Sequence, residues 1–243
     1  MSCLFILKYN DNIYLSILFH NRNFPMLKNF ENLHIHGYQF FESISSSDRR
    51  YFLSLIKLNE VSKTYTSNSK IGNKIIKRLN IDIDKLNEAY EHLYKEKPPL
   101  NSTYFVLRVM KPGEVSEGYR SHFDSHRFTF VIPIKIPEKS KGNLYFIPKL
   151  RNEPKNFITN IITKIFWKFF SGKAGFKILQ YFKKIHQEDF KKYKPMLFLG
   201  RTTFHGNFPV DAFSNEERIT FLLHFFDPEP IGIGNIMRSL RKR

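Results

Sequence analysis

The spacing of apolar and polar positions changes character near residue 103. Upstream it is helical: "SSSDRRYFLSLIKL" sets cap-forming serines before an apolar periodicity, and "DIDKLNEAYEHLYKEK" places Leu86, Ala89, Tyr90 and Tyr94 on one helical face. Pro98 and Pro99 stop that helix. From Thr103 onward the period falls to that of strands. "TYFVLRVM", "RFTFVIPIKI", "NLYFIP", "MLFLGRTTF" and "RITFLLHFF" are rich in aromatic and β-branched residues, with Gly and Pro between them. Residues 150–194 interrupt the series with helical spacing. The pattern predicts a mainly β fold with helical elaborations and no internal repeat. A mixed α/β region over 1–102 packs on a core over 103–228, which carries a helical insertion at 150–194. A basic tail over 229–243 follows.

Within the insertion, Ile158, Ile161, Ile162, Ile165 and Phe169 share one helical face while Lys164 and Lys168 take another. Gly172 can turn the chain into a second amphipathic helix carrying Phe176, Leu179 and Phe182. Two readings stand at this point. The apolar face packs on the β core or on a second subunit, or the pair is a lid or membrane-surface element. For the latter, Trp167 and Phe opposite lysines suit an anionic bilayer. Nucleic acid is a third partner class compatible with basic charge and aromatics.

Charge sharpens the picture. The 243-residue chain carries a formal net charge of +17. Between Pro148 and Lys194 there are 12 basic residues against three acidic ones, about half of the excess. Such a field attracts phosphate, anionic lipid or acidic substrates. The one cysteine, Cys3, excludes both a disulfide framework and a thiolate metal site, so any metal here uses His and carboxylate. Lys8, Asn10, Asp11 and Asn12 break the apolar N-terminal run before it reaches bilayer length. A cytoplasmic protein is expected, peripheral at a membrane if the insertion docks there.

Residues 121–130, "SHFDSHRFTF", crowd His122, Asp124 and His126 beside a strand. Alternation points His122 and Asp124 the same way, with Phe123 turned opposite. Alone this is a weak signal, and a third ligand is needed. His205 in "TTFHGNFPV" supplies one at the end of another strand-like run. Arg218 then opens the apolar strand "RITFLLHFF", where a guanidinium requires an anionic partner. That partner is either Glu216, Glu217 or Asp227, or a carboxylate ligand. His126 reads as a surface histidine, His34 and His36 as incidental, and His224 as a satisfied core residue.

His122-x-Asp124, His205 and Arg218, in this order, resemble the signature of the Fe(II)/2-oxoglutarate-dependent dioxygenases. "HGNFPV" and Thr129 on the strand after H-x-D are similar to their prolyl-hydroxylase-like branch. The resemblance spans roughly Thr103 to Asp227. It implies a double-stranded β-helix (jelly-roll) core and Fe(II) held by His122, Asp124 and His205. It also implies 2-oxoglutarate anchored by Arg218 with Thr220, and consumption of O2 with release of succinate and CO2. Asp124 favours hydroxylation, since related halogenases leave that position to a small residue. The Tyr that often precedes H-x-D is replaced by Met110, and Tyr104 and Tyr119 are displaced candidates for the second 2-oxoglutarate contact. The primary substrate is expected among small metabolites, lipids or glycans, and protein side chains. The competing reading is a non-enzymatic jelly-roll module that binds anionic lipid or nucleic acid through the insertion.

Overall fold

The computed structural model describes residues 30–58, 65–66, 69–99, 103–115, 118–138 and 142–228. The expectations for Cys3, the N-terminal apolar run and the basic tail fall outside them. The elements run α1 (Glu31–His36), β1 (Tyr38–Phe40), α2 (Ser46–Leu58), β2 (Tyr65–Thr66), α3 (Ser69–Arg78), α4 (Ile83–Tyr94), β3 (Tyr104–Met110), β4 (Phe128–Lys135) and β5 (Leu144–Ile147). They continue with α5 (Phe157–Lys168), α6 (Lys173–Phe182), β6 (His186–Glu188), β7 (Met196–Leu199), β8 (Phe204–Asn207) and β9 (Arg218–Phe225). The insertion therefore holds a strand as well as two helices.

Six strands form an antiparallel major sheet in the order β1-β7-β4-β9-β3-β2. Three form a minor sheet, β6-β5-β8, and His122 extends it by a bridge to His205. The strand runs read from the sequence all lie in these sheets, and "MLFLGRTTF" splits at Gly200 into β7 and β8. The N-terminal region contributes edge strands: β1 pairs with β7 and β2 with β3.

Alternation along β9 decides the layering. Ile219, Phe221, Leu223 and Phe225 join Phe105, Leu107 and Val109 of β3 and Phe128, Phe130 and Ile132 of β4 in one apolar cluster with Phe52, Ile75, Leu86 and Tyr90 of the N-terminal helices. That is the outer face of the major sheet. α4 lies there because Leu86, Ala89 and Tyr90 are one stripe, started by Asp82, whose carboxylate accepts from the Lys85 N–H at 3.1 Å. Leu222, Val131, Met196 and Phe198 face the other way, against Leu144 and Phe146 of the minor sheet and Phe190. The outer face of the minor sheet is covered by the insertion, where Leu179, Trp167 and Phe170 pack on Phe123, Ile147 and Phe204.

Candidate active site

Arg218, Thr220 and His224 share the inner face of β9 with Leu222, and in antiparallel register they meet Met110, Arg108 and Tyr104 of β3. A sandwich interior would ordinarily be apolar throughout. Here it carries buried charge.

At one end stand His122, Asp124 and His205, with ligand-capable atoms all within 4.8 Å of one another, the single such group among the described residues. Asp124 Oδ1 is 3.5 Å from His122 Nε2, and Oδ2 is 3.6 Å from His205 Nε2. Backbone holds the three together: His122 and His205 exchange N–H···O bonds of 2.9 and 3.0 Å, and Asp124 N–H donates to the Gly200 carbonyl at 3.0 Å. Gly200 permits that approach, because a Cβ there would lie 2.6 Å from the His126 carbonyl oxygen.

The tautomers suit a metal. Nδ1 of His122 lies 3.1 Å from the Arg120 carbonyl, and Nδ1 of His205 lies 3.1 Å from the Thr203 carbonyl. A carbonyl only accepts, so Nδ1 carries the proton and each Nε2 lone pair faces the carboxylate. Asp124 Oδ2 accepts from the Thr129 hydroxyl at 2.5 Å, and Thr129 Oγ1 in turn lies 3.1 Å from His224 Nδ1. Burial opposes ionisation of Asp124, but its histidine neighbours, His205 and His224 foremost, outweigh it and hold the carboxyl well below the usual range. Burial pushes His205 down to about 4, against the opposing pull of Asp124, so its imidazole is neutral at neutral pH.

The other end is cationic. Arg218 is 2% exposed, and its Nε and Nη1 make no hydrogen bond. None of Glu216, Glu217 and Asp227 pairs with it; Glu216 faces Lys135 at 3.7 Å instead. Its guanidinium lies 5.5 Å from the Phe190 ring. Burial, then the charge of Arg108, push its pKa down to about 9, opposed by Glu188 and Asp189, which leaves it charged at neutral pH. Between the two ends, Arg108 donates to the Asn207 side chain. Asn207 is two residues beyond His205 on one face of β8, about 7 Å away at strand rise. The path His205, Asn207, Arg108, Thr220, Arg218 links the carboxylate-and-imidazole end to the guanidinium end.

Thr220, 4% exposed, thus shares the inner face with Arg218. Tyr104 stacks near His126 and His224, at centroid distances of 6.1 and 6.0 Å. Tyr119 packs on Phe176 and Phe208. It also lines a cleft of about 460 Å³ with Asn143, Gln187, Phe208, Val210 and Asp211, which includes none of the three ligand-capable residues. His126 is 6% exposed, a buried residue rather than the expected surface histidine. Arg108 was visible to the rule that singles out Arg218: it too is a cation inside an apolar run, "TYFVLRVM".

No protein-family model matches the sequence, and no curated protein matches it significantly. Solved structures do. A prolyl hydroxylase from Trichoplax adhaerens, in complex with a peptide of hypoxia inducible factor, superposes with TM-score 0.52 and 15% identity over 85% of this chain and 90% of that one. An α-ketoglutarate-dependent epimerase of nogalamycin biosynthesis, complexed with Fe3+ and α-ketoglutarate, gives TM-score 0.52 and 12% identity over 82% and 83%. A prolyl 4-hydroxylase from Phytophthora capsici gives 0.52 and 12% over 82% of this chain and 61% of that one. The fold is the double-stranded β-helix of these enzymes.

Proposed function

We propose that this chain is an Fe(II)- and 2-oxoglutarate-dependent oxygenase acting as a hydroxylase. The observation that carries the reading is the buried Arg218 guanidinium, with two nitrogens lacking hydrogen bonds, on the same inter-sheet face that leads to His122, Asp124 and His205. A buried cation of this kind requires an anionic partner. Among the described residues Glu188 and Asp189 act on it only electrostatically, with no hydrogen bond or ion pair to it, and a dicarboxylate reaching from the metal centre satisfies the need.

The donor set fits Fe(II): two imidazoles with Nε2 free to ligate and an ionised carboxylate, leaving further positions open to other ligands. With Fe(II) and 2-oxoglutarate bound, the centre supplies O2-driven decarboxylation to succinate and CO2, coupled to oxidation of an organic substrate. His122 and His205 hold the metal through Nε2, their Nδ1 protons kept on backbone carbonyls. Asp124 provides the third ligand, and the Thr129 hydroxyl orients it. Its presence in that position favours hydroxylation over halogenation. Arg218 holds the distal carboxylate, its unbonded guanidinium N–H groups donating to the carboxylate oxygens. Arg108 and Thr220 complete the cradle, and in this reading the second co-substrate contact falls to Arg108 rather than to Tyr104 or Tyr119.

Anaerobic addition of Fe(II) and then 2-oxoglutarate is expected to give a weak visible charge-transfer band. Arg218→Met is expected to keep iron binding while raising the 2-oxoglutarate concentration needed by on the order of 10²-fold, because truncating one partner of a buried charge pair costs ~2–5 kcal/mol. No band in the wild type returns the chain to a non-enzymatic binding module, and unchanged 2-oxoglutarate dependence in the variant returns Arg218 to a structural role. Succinate release screened against small metabolites, lipids or glycans, and peptides identifies the substrate class.

A further inference from the structure

Helix α5 is seated by a polar network as well as by Trp167, which packs on Phe123 and Phe204. Asn160 is 1% exposed and accepts from Arg151 Nη2 at 2.8 Å; Arg151 Nη1 donates to Thr163, and Nε donates to the Arg201 carbonyl at 2.7 Å. Lys164 reaches inward to Ser125 Oγ at 3.1 Å, beside Asp124. With those positions used to seat the helix, Ile158, Ile162, Ile165 and Phe169 are left pointing into solvent, at spacings that form one stripe. In α6, Phe176 and Leu179 are buried, while Ile178, Tyr181 and Phe182 are exposed, the last two at 85% and 71%. Both helices therefore turn large apolar side chains away from the minor sheet.

Lysines flank this surface. Lys155, Lys168, Lys173, Lys177, Lys183 and Lys184 are all exposed, and no Asp or Glu occurs between Lys155 and Lys184. An amphipathic apolar surface edged by lysine alone matches the headgroup boundary of an anionic bilayer, where apolar side chains enter the acyl region and ammonium groups meet lipid phosphate and carboxylate. Nucleic acid fits less well, because three of the exposed residues on α5 are isoleucines, which offer bases no stacking face. A second copy of the chain would bring the same lysines together with no acid on the patch to offset them. No described helix is long and apolar enough to cross a membrane, so the contact lies at the surface.

We propose that the α5–α6 pair is a docking surface for anionic membrane, independent of the chemistry assigned to the metal centre. The test is co-sedimentation of the full-length protein with vesicles of phosphatidylcholine alone or of phosphatidylcholine with phosphatidylserine, at low and high salt. Wild type is expected to bind the anionic vesicles, weakly the neutral ones, and less as salt rises. Lys168→Glu/Lys177→Glu/Lys183→Glu is expected to lower partitioning roughly 10²-fold, as each lysine near the surface contributes about fivefold. Ile162→Ser/Phe169→Ser/Phe182→Ser is expected to lose binding even at low salt, with unchanged thermal melting and iron binding. Absence of wild-type binding, or binding by both variants equal to that of the wild type, overturns the proposal. So does a wild-type dimer abolished by the apolar variant without vesicle binding. A fall in melting temperature of that variant, again without vesicle binding, overturns it too by placing the stripe under another part of the chain.

Discussion

Strand β9 has two faces that do opposite work. Ile219, Phe221, Leu223 and Phe225 are sealed beneath the N-terminal helices, in a large apolar cluster. Arg218, Thr220 and His224, on the other face, look into the space between the sheets, where a packed sandwich would place its core. Stability has thus moved outward onto the helix-covered face, and the interior is free to hold charge. The same inversion recurs at the edge of the molecule, where α5 spends polar groups on its seat and leaves apolar ones outside.

The comparison breaks most sharply by mutating the two faces of one strand. Phe221→Ala, at a fully buried outer position, is expected to cost about 3–5 kcal/mol in chemical denaturation. Arg218→Met, three residues away, is expected to leave the apo-protein as stable or more so, because it removes a buried cation with unbonded nitrogens. Equal losses at both positions would end the division of labour.

The next effect is set by pH. His205 has a folded pKa of about 4 against 6.5 in the unfolded chain, so only the unfolded state takes up that proton between these values. Apo-protein stability is therefore highest above pH 6.5 and falls by roughly 3 kcal/mol as the pH drops toward 4. Below that, the depressed Asp124 carboxyl adds its own loss as it protonates. Urea denaturation across this range, with His205→Gln flattening the upper part, checks the sign.

The smallest effect concerns Arg108. It already donates to Asn207, so Arg108→Met is expected to raise the 2-oxoglutarate requirement only about tenfold, the value of one charged hydrogen bond, and titration of the visible band measures it. An effect as large as that of Arg218 would make the two guanidinium groups equal anchors.

Much of this was legible in the chain. The strand runs, the helices at α2 and α4, the H-x-D pair, His205 and the out-of-place Arg218 all follow from period and residue type, because alternation and local propensity act over a few neighbours. Alternation also separates Arg218, Thr220 and His224 from Ile219, Phe221 and Leu223. It does not say which set faces the second sheet, and only the packing of Leu222 and Val131 on Leu144 and Phe146 does. Arg108 gained its place from the pairing of β3 with β9 and from Asn207, 99 residues away. The helical wheel of α5 marks an apolar stripe, and amphipathicity by itself turns such a stripe inward. Arg151, Asn160 and Thr163 turned it outward, since buried polar groups that satisfy one another seat a helix as firmly as apolar contact does, and their meeting is a tertiary event.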